Sequence, residues 1–224
     1  MSELFWNTIT LDMRLLLENF ARSEIGPAFY LAGGTALALQ LGHRHSVDLD
    51  FFSPTEDVPT IRPALEKALA SFNPILADSA WGNLVYLAKD VHIGFYGYGH
   101  PLVAPLVEVA TSQEAAGQVA CLASIQDIAL MKLDALLARA MRKDFYDLYF
   151  ICQKIPLLEL YRLAPKKYPS TRDFESQTLK RLVFFENAEQ DIDPLLISQV
   201  SWQDVKAYFV EQSKQIGQSW LGKN

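Results

Sequence analysis

Only two cysteines occur in the 224 residues, Cys121 and Cys152. That excludes a disulfide framework and a four-thiolate zinc site. Both thiols sit among apolar neighbours, where cysteines are usually buried and inert. The four histidines, His43, His45, His92 and His100, lack the helical spacing of zinc ligands. No apolar run approaches the roughly 18 residues of a membrane-spanning helix. Positive charge is also short. Lys and Arg number 20 against 26 Asp and Glu, and a net charge of −6 argues against a surface that grips nucleic acid or anionic lipid all over. The stretch 1–19 carries Glu3, Asp12, Arg14 and Glu18, unlike a secretory signal, so a soluble cytoplasmic protein is the expectation. No internal repeat and no low-complexity tract breaks the chain. What is present is a globular balance, 50% hydrophobic and 21% charged, which excludes disorder as the main state.

The charge is distributed unevenly. Residues 1–110 hold 6 basic and 12 acidic side chains, whereas 132–181 hold 11 basic and 6 acidic. Two lobes of opposite sign would suit a polyanion bound through metal, although solvated helix faces vary by as much. The element pattern divides in the same place. Leu11 to Phe20 reads as an amphipathic helix with Leu11, Leu15 and Phe20 on its apolar stripe. Residues 28–32 read as a short buried strand, and Thr35 to Leu41 as a helix. Val47 to Phe52 reads as a strand with Val47, Leu49 and Phe51 on one face and Asp48 and Asp50 on the other. Pro63 to Phe72 reads as a helix. Asn83 to Leu87 and Val91 to Tyr98 form a hairpin turning at Lys89-Asp90, and Leu106 to Ala110 form a further strand. Beyond about residue 120 the signals are helical: 125–140 after a Ser124 cap, 144–151, 174–185 and 202–220. Strands first and helices after indicate an α+β core followed by a helical lobe.

The chemistry-bearing feature is Gly33-Gly34-Thr35 followed by Asp48-Leu49-Asp50. Carboxylates at i and i+2 of a strand point to one face, a few ångströms apart. Two like charges that close are tolerated mainly when a cation lies between them. Hard oxygen ligands suit Mg²⁺ or Mn²⁺, which complete their shell with water and substrate phosphates. A Gly-Gly-Thr turn between strand and helix lets backbone N–H groups approach a phosphate. Either motif alone is weak; together, in this order, they indicate metal-assisted displacement on a nucleoside triphosphate. Arg44 and Ser46 precede the aspartates and reach toward a phosphate, or serve the loop.

A second constellation is Lys132, Arg139, Lys143, Asp144 and Asp147. The three cations share one face if a single helix runs through them, and would meet triphosphate oxygens. Asp144 and Asp147, three apart, would orient a Lys or Arg, or approach a nucleotide or metal. A salt-bridged surface helix is the plainer reading of the same residues.

These two blocks carry a family resemblance. Residues 30–53, YLAGGTALALQLGHRHSVDLDFFS, closely resemble the first motif of the AbiEii-type nucleotidyltransferases, the abortive-infection toxin group of the polymerase-β-like superfamily. Residues 122–151, LASIQDIALMKLDALLARAMRKDFYDLYFI, resemble the later motifs, a Lys helix followed by Lys-Asp-x-x-Asp-Leu. The resemblance implies an α+β fold, a nucleotidyltransferase-like mixed β-sheet of roughly four to six strands flanked by helices. Residues 1–120 would form that core, and 121–224 a helical C-terminal lobe completing the cleft. It implies that Gly34 and Thr35, with Gly33, contact the triphosphate and that Asp48 and Asp50 bind Mg²⁺ or Mn²⁺. Lys132 and Asp144 or Asp147 match positions the family uses for activity, with Arg139 beside them on the leaving pyrophosphate. Implied partners are a nucleoside triphosphate, an RNA (tRNA), protein or small-molecule acceptor and a neutralising antitoxin protein; no membrane is implied.

One departure stands out. Superfamily enzymes usually add a third carboxylate from a later strand. The strand Val91 to Tyr96 has His92 and Gly94 in the candidate positions, and Glu108, between Val107 and Val109, is the remaining acid with the right neighbours. Two other readings therefore accompany the transferase. One is a non-catalytic nucleotide- or partner-binding module on the same fold. The other is a metal-dependent glycosyltransferase, against which the short chain and the Gly-Gly-Thr turn both speak.

Overall fold

A computed structural model describes residues 4–110 and 119–221. The chain divides into two compact units. The first takes residues 1–100 and 104–124, the second 101–103 and 125–224.

The first unit is built on a mixed sheet. Among the described residues its strands are β1 (Tyr30–Leu31), β2 (Asp48–Ser53), β3 (Ile75–Asp78), β4 (Leu84–Ala88), β5 (Val91–Gly97), β6 (Val107–Ala110) and β7 (Val119–Leu122), in the order β3-β4-β5-β2-β1-β7-β6. Seven strands exceed the roughly four to six expected, and the two that the sequence did not place are β3 and β7. β3 has a mostly exposed pattern and β7 is short, so neither announces itself by alternation. β2 runs parallel to β5 and antiparallel to β1; β1 runs parallel to β7. The β4–β5 hairpin turns at Lys89 and Asp90, both at positive φ (53° and 59°), the geometry a tight two-residue hairpin requires.

Helices α1 (Leu11–Ala21), α2 (Gly33–Leu41) and α3 (Arg62–Leu69) complete this unit. Thr10 caps α1, its hydroxyl accepting from the Met13 N–H. The buried stripe of α1 is Met13, Leu16, Leu17 and Phe20, spaced i, i+3, i+4, i+7. Leu11 and Leu15, expected on that stripe, lie on the opposite side and are 72% and 45% exposed. Val47 likewise precedes β2 and is exposed rather than sharing the core face. The expected strand at 28–32 shortens to two residues because a 3₁₀ turn, Gly26–Ala28, takes its start.

One face of the sheet presents Leu31, Leu49, Phe51, Ile93, Phe95, Tyr86 and Leu122, all at most 3% exposed. α1 packs on it, and Phe20 brings an aromatic cluster together at centroid distances of 4.5 Å to Phe51, 5.1 Å to Phe95 and 5.7 Å to Phe29. The other face carries the acids.

The second unit contains α4 (Ile125–Ala138), α5 (Arg142–Cys152), α6 (Leu157–Lys167), α7 (Phe174–Arg181), α8 (Glu186–Glu189) and α9 (Trp202–Leu221). α4 touches α5, α6 and α7, and α5 touches α8 and α9. Phe145 anchors α5 against Phe185, Trp202 and Phe209 at 5.3–6.0 Å. Segment 101–103 is held to this unit by Asp127, whose Oδ1 accepts from the Val103 N–H (3.0 Å) and from Lys167 Nζ (2.9 Å), both ends of that ion pair being fully buried. No helix among the described residues is long and apolar enough to cross a membrane.

Phe20→Ala removes the ring on which three other aromatics converge. A loss of roughly 3–5 kcal/mol is expected, read as a lower urea midpoint at unchanged slope.

Candidate active site

The site in the first unit begins with β2. Alternation along Asp48–Ser53 buries Leu49, Phe51 and Ser53 and leaves Asp48, Asp50 and Phe52 half-buried on the opposite face. Parallel register then sets their neighbours: Asp48 pairs with His92 and Asp50 with Gly94. His92 Nδ1 lies 3.9 Å from Asp48 Oδ1. Neither β5 position supplies a carboxylate. Glu108 does not substitute, because β6 is the far edge strand, three strands from β2 and roughly 14 Å away at the usual strand spacing.

α2 starts directly behind Asp50. The chain leaves β1, the Ala32 N–H donates to the Asp50 carbonyl (3.0 Å), and Gly33 turns at φ +65° into the helix. A Cβ at Gly33 would stand 3.2 Å from Asp50 Oδ2, in a backbone conformation side chains rarely adopt. No side chain caps α2: its N-cap residue is Ala32. The first N–H groups of a helix have no intrahelical partner, and here they open beside a carboxylate pair rather than under a capping Ser or Asp.

Arg44 fills the space above Gly34. A Cβ there would fall 2.1 Å from Arg44 Nη2, so glycine is what admits the guanidinium. Arg44 is 5% exposed and donates to the His45 carbonyl (2.9 Å) and weakly to Ser46 Oγ (3.5 Å). Thr35 and Ser46 turn inward. The Thr35 hydroxyl bonds Ser46 Oγ (2.8 Å) and the Asp48 carbonyl, tying the first turn of α2 to the start of β2. Thr35, expected among the residues that contact the triphosphate, makes this tie with its hydroxyl, and its backbone N–H belongs to the open first turn of α2. Gly33, Gly34, Thr35, Arg44, Ser46, Asp48 and Asp50 thus converge in one unit.

The second constellation assembles within the helical unit. Lys132 Nζ lies 2.8 Å from Asp144 Oδ1 and 2.7 Å from Asp147 Oδ2. Arg139 bonds Asp144 with both Nε and Nη2 at 3.0 Å. Both carboxylates are fully buried, the Lys132 side chain is 6% exposed, and that of Arg139 is 51% exposed. Burial works against charge on Asp144, but Lys132 and Arg139 outweigh it and hold the carboxyl below the usual carboxylate range. The expected continuous row through Lys143 is broken. α4 ends at Ala138, Ala140 takes φ +49°, and α5 restarts at Arg142, so Lys143 leaves the face of Lys132 and Arg139. That break is what folds Asp144 back onto Lys132.

Two features escaped the sequence reading. Lys167 is fully buried against Asp127, forty residues away, a pairing no local spacing reveals. Tyr96 folds over Gly94, for which a glycine in mid-strand was the available signal.

Among the described residues no group of three His, Cys, Asp or Glu side chains is arranged to hold a metal ion. A dication here would take its protein ligands from Asp48 and Asp50 and the rest from water and substrate, which is how Mg²⁺ usually binds.

The model of a family described as nucleotidyl transferase AbiEii toxin, type IV toxin–antitoxin system, matches residues 14–79 and 87–220. An uncharacterised protein of Aquifex aeolicus, aq_aa25, is 34% identical over 218 residues, covering 91% of this chain and 95% of that one. The fold is that of MenT4, a nucleotidyltransferase toxin of Mycobacterium tuberculosis (TM-score 0.58, 17% identity, 89% of this chain and 82% of that one). It is also that of a nucleotidyltransferase-annotated protein from H. pylori (0.51, 18%, 95% and 94%) and of ANT(2″)-Ia, solved with adenylyl-2″-tobramycin (0.52, 14%, 74% and 98%).

Lys132→Met takes the lysine from two buried carboxylates, leaving Asp144 to Arg139, and is expected to cost about 3–5 kcal/mol. Because the Asp144 pKa is lowered on folding, its contribution is complete above the unfolded value of about 3.9 and is lost as pH falls through the folded value. Urea stability measured from pH 6 downward should therefore drop more steeply below about pH 4 in wild type than in Asp144→Asn.

Proposed function

Because the chain belongs to the AbiEii family of nucleotidyl transferase toxins, we propose that it moves a nucleotide from a nucleoside triphosphate to an acceptor hydroxyl, with Asp48 and Asp50 as the centre of the reaction. The observation that carries this reading is the meeting of an uncapped helix N-terminus with two same-face carboxylates at Gly33 and Asp50.

In this reading Asp48 and Asp50 hold Mg²⁺ or Mn²⁺. Such an ion, when bound, neutralises triphosphate charge and lowers the pKa of a bound hydroxyl. The backbone N–H groups of Gly33, Gly34 and Thr35 receive phosphate oxygens, helped by the helix dipole. Arg44, seated on Gly34, adds positive charge beside that cradle. Thr35 and Ser46 keep α2 and β2 in position. Within the helical unit, Lys132, Arg139, Asp144 and Asp147 form a charge-balanced cluster in which Arg139 donates two hydrogen bonds to Asp144. Arg139, half exposed, is the member of the four that a polyanion reaches.

The acceptor we propose is an RNA end of the tRNA class. The net positive stretch 132–181 supports it, although part of that charge is spent internally: Lys132 and Lys167 are buried against acids, and Arg142 bonds Asp193 and two backbone carbonyls. Lys154, Arg162, Arg172 and Lys180 stay exposed. The family description, a type IV toxin–antitoxin system, supports an antitoxin protein as partner. One observation favours a second reading, nucleotide binding without turnover: β5 places His92 and Gly94, not an acid, opposite the aspartates.

Asp48→Asn and Asp50→Asn are each expected to abolish transfer while leaving the melting temperature within a few degrees of wild type. Calorimetry with the four ribonucleoside triphosphates should show binding with Mg²⁺ that EDTA removes. Undiminished turnover in either variant refutes the assignment; metal-dependent binding without pyrophosphate release from any acceptor selects the second reading.

A further inference from the structure

Tyr96 does not point along its own end of β5. Its side chain folds back over Gly94. A Cβ at position 94 would stand 2.3 Å from the Tyr96 hydroxyl, 2.4 Å from Cε2 and 2.6 Å from Cζ. Those distances forbid any residue but glycine while the ring lies there. Gly94 is the strand partner of Asp50, and paired residues on adjacent strands project from one face about 4.8 Å apart. The phenol oxygen therefore sits across the ladder from the second aspartate, on the reacting face.

The ring is held in that place. It stacks on Phe52 at 5.1 Å and 26°, and Phe52 in turn stacks on Tyr30 at 6.1 Å and 23°. Tyr30 is 3% exposed, so the row is anchored in the interior. The stacked row fixes where the hydroxyl stands before substrate arrives.

Resting on the nucleotide-transfer reading above, we propose that the Tyr96 hydroxyl is a catalytic hydrogen-bond donor to a non-bridging oxygen of the phosphoryl group being transferred. The chemistry selects this role. A neutral phenol is a weak ligand for a hard dication but a good donor to an anionic oxygen. Of the other side chains on this face, Asp48 and Asp50 accept rather than donate when ionised, and His92 pairs with Asp48 rather than with Asp50. Charge on the phosphoryl oxygens is what a preorganised donor at this position stabilises. β5 thus contributes through Tyr96 at a place where it has no acid, and Gly94 is the residue that makes room.

The whole chain, two variants and three readouts test this. Tyr96→Phe keeps the ring over Gly94 and removes only the hydroxyl. Gly94→Ala keeps the hydroxyl and displaces it. Both should lower kcat by roughly 100-fold with KM for the triphosphate within about two-fold, the pattern of an interaction made in the transition state. The melting temperature of Tyr96→Phe should match wild type. In ³¹P NMR of a bound α,β-methylene triphosphate analogue, the α resonance should differ between wild type and Tyr96→Phe while the γ resonance does not. Turnover by Tyr96→Phe within two-fold of wild type overturns the inference and leaves the aspartate assignment standing. Undiminished transfer in Asp48→Asn, or no Mg²⁺-dependent binding of ATP, CTP, GTP or UTP by wild type, overturns the assignment and this inference with it.

Discussion

Parallel hydrogen bonding of β2 to β5 is the constraint on which the first unit depends, because a strand shows alternate residues to opposite faces and register decides which. With Asp48 opposite His92 and Phe51 opposite Phe95, one face of the pair is aromatic and the other acidic. A slip of one residue would drive both carboxylates into the cluster around Phe20 and expose Leu49 and Phe51. The cost of burying two unpaired charges makes that alternative inaccessible, so the core and the site enforce each other. The stacked Phe51–Phe95 pair, 5.5 Å apart and 13° from parallel, lies directly behind the face that carries the aspartates.

Two glycines let other groups approach that face closely. At Gly33 a positive φ and a carboxylate 3.2 Å from the missing Cβ bring the start of α2 against Asp50. At Gly34 the guanidinium of Arg44 occupies the side-chain position. Gly33 uses the backbone freedom of glycine and Gly34 only its missing side chain: each gains an approach that a Cβ would block. The hydroxyls of Thr35 and Ser46 tie the first turn of α2 to the start of β2.

The helical unit solves a different electrostatic problem. Lys132, Asp144 and Asp147 are removed from water almost completely, and Asp127 and Lys167 wholly so. Ion pairs of this kind contribute little net stability against an apolar substitute, yet breaking one is costly, so they specify a single packing of the helices that carry them. The left-handed residue Ala140 ends one helix and reverses the chain so that the next returns its acids to the first. Composition alone overstates how much positive charge this unit shows to solvent, since several of its cations are consumed within it.

The sequence by itself determined the order of elements, the pairing of Gly-Gly-Thr with Asp-x-Asp, the sidedness of the two aspartates and the family, because each rests on spacing within a few dozen residues. Hydrophobic periodicity placed the long helices, and it misassigned Leu11 and Leu15 because several leucines in α1 allow two stripes and only packing on the sheet selects one. Tertiary structure alone decided that β5 lies beside β2, and hence that His92 and Gly94, not Glu108, face the aspartates. It also decided that Thr35 turns inward, that Lys132 is clamped by two acids, and that Tyr96 folds across Gly94. Each of these depends on which distant strand or helix becomes a neighbour, and that choice is made by burial of the whole core rather than by any local run of residues.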